Sequence, residues 1–451
     1  MLAQIAFFAH LAAIPFAVAF ICYTDRMPRS SWLPFLLIAG CAAFALLSFR
    51  ISDPYYAFWD FHNAYYPAGK VSMASARQLR EMTDNGVNGF VNMPVISYLF
   101  LPLALLPELT ATYLFLALGV LAAVAAWFLL ARAAGLGAKD RWLLLLLFAV
   151  NGPLFYSLKI GNTSQFVLLA LAGSLLLLRA GYSTAAGVLL GCFAMIKPPL
   201  LLLGLFFLLR RDVRGGFGFF AACAGIAALS IGVFGWSDNW HWFEVCIIQF
   251  SHQWLAAYNV QSVPAFMLRF DLAPSLLEDW NARQPPPDLA ILANIFFGLL
   301  FALAAAALWR RAARHQASLP ALELQYSLII CLAIVASPLS WSHYYCWLLL
   351  PAALFLRWRH QLPRLSRICG WLAIMLVTPV IRLLHFAEPW MWEFYKNAAV
   401  SLLLFGGLLW FGLVAWWVGM SVASSAAADK PCQNHAHSWV FRRLHWFATL
   451  R

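Results

Sequence analysis

The chain has 451 residues, 63% of them hydrophobic and 11% charged. Soluble domains are roughly half apolar and about a quarter charged, so this composition excludes an ordinary soluble protein and indicates an all-α, polytopic membrane protein. The net charge of +12 resides in short basic segments between apolar runs, an orientation signal of an inner-membrane protein rather than a duplex-binding face.

The first apolar run, residues 2–23, lacks a basic n-region and a clear small-residue cleavage site, so it is expected to be a retained span and not a signal peptide. Further spans are expected at 32–49, 109–131, 142–158, 164–179, 183–196, 198–209, 216–235, 289–309, 321–337, 343–356, 368–384 and 398–419, about thirteen in all. Together they make one transmembrane domain over 1–420, followed by a basic tail over 421–451. Lys197-Pro198-Pro199 interrupts the run 183–209, and proline breaks the helical ladder, so half-helices meeting near one face are expected there. The apolar stretch 95–107 reads as interfacial or re-entrant, because a full span there would send every later basic loop to the other side.

With that count the basic loops share one side: Arg26 and Arg29; Arg132, Lys139 and Arg141; Arg179; Arg210, Arg211 and Arg214; Arg310, Arg311 and Arg314; Arg357, Arg359, Arg364 and Arg367; and Arg442, Arg443 and Arg451 of the tail. The positive-inside rule makes that side cytoplasmic. The opposite side receives the long loops 50–94 and 236–288, the turn 159–163, the segment 337–343 and most acidic residues. An extracytoplasmic working face on the plasma membrane is the expectation. Neither phosphate-binding glycine motif, G-x-x-x-x-G-K-[ST] or G-x-G-x-x-G, is present, so a nucleotide-sugar substrate is not expected. The nine cysteines are dispersed without a C-x-x-C pair, and no metal or other cofactor is expected.

Asp60 is the leading catalytic candidate. It lies among Trp59, Phe61, Tyr65 and Tyr66, and partial desolvation raises a carboxylate toward the range of a general base. The alternative is a helix cap or a partner for Arg50. Lys197 could hold a phosphate as a point charge, or could snorkel to the headgroups. Lys159 and Arg382 are placed similarly, with a weaker case. His343 could hydrogen-bond a phosphate, or belong to an aromatic belt with Trp341, Tyr344 and Trp347. The polar stretch Asn259, Gln261 and Ser262, with Arg269 beyond it, offers amides suited to sugar hydroxyls, or ordinary turn chemistry. Trp236, Trp240 and Trp242 could stack on a sugar or sit in the belt, and His62, Asn63 and Asp53 are weaker candidates.

Six segments in order resemble glycosyltransferase family 87, membrane enzymes of the GT-C class that include polyprenyl-phosphate-mannose-dependent mannosyltransferases. They are Asp60-Phe61-His62-Asn63-Ala64-Tyr65-Tyr66; Met93-Pro94 with Leu101 to Pro107; Gly161-Asn162-Thr163-Ser164-Gln165; Ala186 to Gly191 leading to Lys197-Pro198; Asn259-Val260-Gln261-Ser262 with Arg269; and Ser337 to His343. The second of these is proline-punctuated, and in the third Asn162 stands where glutamine is usual. The resemblance implies a GT-C fold, Asp60 as general base, a polyprenyl-phosphate sugar donor and inverting transfer to a lipid- or glycan-linked hydroxyl without an obligatory metal. It also places His343 near the donor phosphate. With the reading of the residues themselves, the expectation is that Lys197 and His343 hold the donor phosphate, and that Tyr65, Tyr66, Asn162, Gln165, Asn259, Gln261, Ser262, Arg269 and Trp341 line the substrate cavity. The alternatives are a transporter or flippase of a lipid-linked sugar, whose signature is ionisable residues near the midplane and a repeated half-structure, and a structural scaffold.

Overall fold

The computed structural model describes residues 57–72, 76–271, 277–312, 319–380 and 389–419. The expected spans 2–23 and 32–49, the tail 421–451, and Asp53, Arg314 and Arg382 lie outside the described residues. Among the described residues the regular structure is all helical and no strand forms, with two isolated β-bridges, Trp254 with Arg283 and Val260 with Trp341. It is an all-α, polytopic membrane protein.

The principal helices are α1 (Tyr66–Val71), α2 (Ala76–Asp84), α3 (Leu101–Ala104), α4 (Glu108–Ala133), α5 (Ala138–Val150), α6 (Gly152–Ile160), α7 (Ser164–Arg179), α8 (Ser183–Ile196), α9 (Leu203–Arg210), α10 (Val213–Trp242), α11 (Val263–Asp271), α12 (Pro287–Ala312), α13 (Leu319–Val335), α14 (Leu349–Trp358), α15 (Arg364–Val377), α16 (Pro389–Asn397) and α17 (Leu402–Gly419). Four helical stretches are long and apolar enough to cross a bilayer, Glu108–Ala133, Val213–His252, Pro287–Trp309 and Pro389–Gly419, the second kinked at Gly235 and the last made of α16, a 3₁₀ turn and α17. The bent pair α5 and α6 makes a fifth.

Three expectations change in detail. The span expected at 142–158 is two helices bent by 50°. Asn151 causes the break: it is extended, and its side chain accepts the Leu154 N–H at 2.8 Å, capping a new helix. The helix expected from 343 begins as a 3₁₀ segment, Ser342–Leu348, and becomes α-helical only at Leu349. The helix expected over 368–384 is α15, which ends at Val377, ahead of Pro379. The stretch 95–107 is too short and broken to span: a 3₁₀ turn over Pro94–Leu99, then the single turn of α3.

Helices apolar on all sides either face lipid or fill the core. α4 and α12 turn Leu114, Leu118, Leu121, Phe128, Ile291, Leu292, Ile295, Leu299 and Leu303 outward, a surface suited to lipid and not to water. α13 is the reverse, with every residue from Leu328 to Val335 fully buried. α8 and α10 meet through glycines. A Cβ at Gly187 would lie 2.0 Å from the Gly215 carbonyl oxygen, and one at Gly191 would lie 2.5 Å from that of Phe219. Small residues let two backbones touch, as membrane interfaces require.

The bundle has two chemically different ends. At one, Arg179 and Arg357 pair with the buried Glu323, and Arg359 pairs with Asp140 at 2.8 Å. At the other, the C-terminus of α6, the N-terminus of α7, the C-terminus of α8 and the segment after α13 converge under the loops 57–106 and 243–286, around a cavity of about 780 Å³.

Candidate active site

Asp60 stands at the start of a π-helical turn, Phe61–Tyr65, that continues into α1. Pro67 has no N–H to close a normal turn onto Asn63, and the Tyr66 N–H reaches back to the Phe61 carbonyl, so the ladder widens by one residue. Phe58, at φ 57°, occupies the left-handed region unusual for a bulky side chain. Its N–H bonds to the Lys159 carbonyl at 2.7 Å, which fixes the chain beside the α6–α7 turn. Gly161 in that turn has φ 68°, and a Cβ there would lie 2.7 Å from the Phe61 Cβ, so both conformation and closeness require glycine.

The Asp60 side chain lines the cavity. Its Oδ2 accepts from Asn162 Nδ2 at 2.5 Å, and Asn162 also approaches the Tyr65 hydroxyl at 3.4 Å. The carboxylate takes no other hydrogen bond among the described residues, which leaves Oδ1 to the cavity. Burial pushes its pKa up, opposed by the Asn162 hydrogen bond and the Lys197 charge.

Lys197 faces the same cavity from the break after α8. Its backbone is extended, and Asn92 Nδ2 donates to the neighbouring Ile196 carbonyl at 3.0 Å. Its ammonium lies 5.1 Å from the Tyr344 ring centre and forms no ion pair among the described residues. Burial pulls its pKa down to about 8, with Asp60 acting in the other direction. His343 is delivered by the 3₁₀ turn after Trp341. Its ring lies between Trp341 and Tyr156, at 6.3 and 6.4 Å between centroids. Both ring nitrogens are buried without a hydrogen-bond partner among the described residues, although His343 lines the cavity. The nitrogens themselves are not exposed to the empty space, and a neutral imidazole offers one donor and one acceptor.

Other expected residues divide between the cavity wall and the layer behind it. Tyr65, Asn162, Asn259 and Trp341 line the cavity. Asn259 is fixed on both sides, donating to the Tyr156 hydroxyl at 3.2 Å and accepting from Trp280 Nε1 at 3.0 Å. Tyr66, Gln165, Gln261, Ser262 and Arg269 are not on the wall. The Tyr66 hydroxyl donates to the Leu106 carbonyl, and Gln165 bonds to Ser157 and to the Asn162 backbone. Gln261 donates to the Tyr258 and Val400 carbonyls, and Ser262 caps α11 by accepting from the Ala265 N–H. Arg269 donates to the Ala256, Ala257 and Val260 carbonyls and to Ser401. These groups tie down the loop that presents Asn259, because buried backbone carbonyls must find donors. The Val260–Trp341 bridge then joins this loop to the His343 segment, with Gln261 N–H on Ser340 and Ser342 N–H on Asn259.

Of the weaker candidates, Asn63 and Trp242 reach the cavity, His62 pairs with Glu108, and Trp236 and Trp240 are exposed and stacked on each other. Lys159 is buried in α6. Tyr156, Tyr258, Trp280 and Asn92 also line the cavity, and sequence reasoning missed them. Tyr156 lies inside an apolar run, and the other three reach the wall only through folding of distant loops, so no local pattern marks them.

The model of glycosyltransferase family 87 matches residues 90–338. Asp60 lies 30 residues before the matched segment and His343 five residues after it, whereas Asn162, Lys197 and Asn259 lie within it. The chain is 31% identical over 181 residues to a Mycobacterium tuberculosis protein described as a polyprenol-phosphate-mannose-dependent alpha-(1-2)-phosphatidylinositol mannoside mannosyltransferase, covering 39% of this chain and 38% of that protein. It is 30% identical over 169 residues to the Mycolicibacterium smegmatis protein of the same description, covering 36% of this chain and 35% of that protein. The alignments therefore span a little over a third of the length of these relatives. No solved structure matches. The family match extends over more than half of the sequence and includes most of the cavity wall, and the chain belongs to glycosyltransferase family 87.

Proposed function

We propose that this protein transfers a hexose, mannose by analogy with the relatives, from a polyprenyl-phosphate donor to a hydroxyl of a lipid- or glycan-linked acceptor, with inversion. The observation that carries the reading is the convergence of one carboxylate, one ammonium and one imidazole, from Asp60, Lys197 and His343, on a single cavity. Asp60 Oδ1 takes the proton of the acceptor hydroxyl as its oxygen attacks the anomeric carbon. The new C–O bond forms on the face opposite the phosphate. The old C–O bond breaks, and its electron pair leaves with the polyprenyl phosphate, whose charge Lys197 and His343 stabilise. Asp60 is the sole acidic side chain among the described lining residues, which supports a single displacement over a covalent route needing a second carboxylate.

The wall supports a place for the lipid. Met195, Pro198, Leu201, Leu202 and Phe301 give the cavity an apolar side, and Leu201 and Phe301 are also exposed. A prenyl chain leaves the cavity there without entering water. The arginine end lies away from the cavity, so positive-inside orientation supports an extracytoplasmic site on the plasma membrane.

The test is reconstitution in liposomes with polyprenyl-phosphate mannose and membrane lipid acceptors, read by mass. Addition of one hexose from the prenyl donor, and none from GDP-mannose, is expected. Transfer from the nucleotide sugar, or lipid-sugar counterflow without glycosylated product, contradicts the proposal.

A further inference from the structure

We infer that Asn162 is a positioning residue for Asp60, locked in one amide orientation by the start of α7, and not a substrate contact. The inference rests on the reading of Asp60 as the base.

Asn162 Oδ1 accepts from the Thr163 backbone N–H at 2.7 Å and from the Ser164 hydroxyl at 3.2 Å. A backbone N–H can only donate, so the atom facing it must be the amide oxygen. The NH₂ group then has to face Asp60. The flipped amide would set its oxygen against a carboxylate and its NH₂ against an N–H, two repulsions in place of two hydrogen bonds.

The backbone beneath this amide is fixed as well. The Asn162 N–H bonds to the Ser157 carbonyl at 2.8 Å, and Gln165 Nε2 donates to the Asn162 carbonyl at 2.7 Å. Gln165 Oε1 in turn accepts from the Ser157 hydroxyl at 2.6 Å. Gln165 fits because α4 has a glycine opposite it: a Cβ at Gly119 would lie 2.8 Å from Gln165 Nε2. A buried chain of amides and hydroxyls therefore runs from the α6–α7 turn to one oxygen of the base.

This chain has two effects. It stops rotation of the carboxylate, so Oδ1 stays turned to the cavity. It also stabilises the ionised form in a site where burial favours the neutral acid. A substrate-binding amide would change affinity, whereas a positioning amide changes the pH at which the base works.

The experiment is the pH dependence of kcat and kcat/KM for hexose transfer in wild type, Asn162→Asp, Asn162→Ala and Gln165→Leu. Asn162→Asp is nearly isosteric and keeps an acceptor for the Thr163 N–H, so it tests the idea even if Asn162→Ala folds poorly. It puts two carboxyls in hydrogen-bond contact, and the acid limb is expected to rise by more than about one pH unit, as for carboxylates sharing a proton. Asn162→Ala should raise the limb by about one to two units, the value of a hydrogen bond to a charged group, with donor KM nearly unchanged. Gln165→Leu should move it in the same direction by less. An unmoved acid limb in Asn162→Asp, or a raised KM without a limb shift, overturns the inference. Asp60→Asn in the same series separates the two claims: if it keeps both the rate and the acid limb, the base assignment itself fails.

Discussion

Lys197 and His343 line one cavity, and in the proposed donor site their parts differ. There the ammonium would supply long-range charge and the imidazole a hydrogen bond at one position. Lys197→Ala should raise donor KM about tenfold or more, the scale of a lost charge-assisted hydrogen bond, and barely alter acceptor KM. Unchanged donor affinity would move Lys197 to a packing role. The pH profile of transfer should be a bell. Asp60 has its pKa raised by burial, so its base form is lost as pH falls through a value above 3.8. Lys197 has its pKa pulled down to about 8, so its charge is lost as pH rises through that region. A rate that keeps climbing well past pH 8 contradicts the Lys197 role. That these three residues share a cavity was foreshadowed in the sequence, because an ionisable group among apolar runs needs a reason to be there. Tyr156 and Trp280 were not, since aromatic residues are ordinary in a membrane protein and only the fold turns these toward the cavity.

Arg269 shows how a polar segment can be assigned to the wrong layer. The stretch from Asn259 to Arg269 reads as a sugar-binding loop, yet only Asn259 of its named residues reaches the wall. The others serve the loop's own backbone, whose unpaired carbonyls the sequence does not display. Arg269→Met should lower stability by about 3–5 kcal/mol, because three buried carbonyls and the Ser401 hydroxyl lose their donor, and Lys should not rescue a four-partner guanidinium. Thermal unfolding in detergent measures both. At the α8–α10 contact, Gly187→Ala drives a methyl into the Gly215 carbonyl and should cost about 1–3 kcal/mol by overpacking. Because α8 carries Lys197 at its end, donor affinity should fall with it, whereas Gly225→Ala, with open space around its Cβ, should do neither.

Across the whole molecule, the expected spans 109–131, 216–235, 289–309 and 398–419 fall on helices long and apolar enough to cross a bilayer, whereas those at 164–179, 183–196, 198–209 and 321–337 fall on shorter apolar helices, because hydropathy marks apolar runs but not where a helix ends. The breaks at Asn151 and Lys197 both carry proline in the sequence, Pro153 and Pro198, but the expected span ran through the first because its flanks are apolar. The proposed orientation rests on where the arginines gather, and it is testable without any activity. In a background lacking native cysteines, Asn88→Cys, exposed at the cavity end, should react with an impermeant thiol reagent in intact cells. Ala138→Cys, at the arginine end, should react only after the membrane is opened. The reverse pattern would put the cavity in the cytosol and remove the case for a lipid-phosphate donor.

The account turns on one carboxylate. Hexose transfer by purified Asp60→Asn from polyprenyl-phosphate mannose, beside wild type, tests it most directly. The expected result is a fall in kcat of about 10²–10⁴, the range for general-base catalysis, with donor affinity and unfolding temperature close to wild type. Turnover near the wild-type rate in that variant would show that another group removes the acceptor proton, and the proposed chemistry would be wrong.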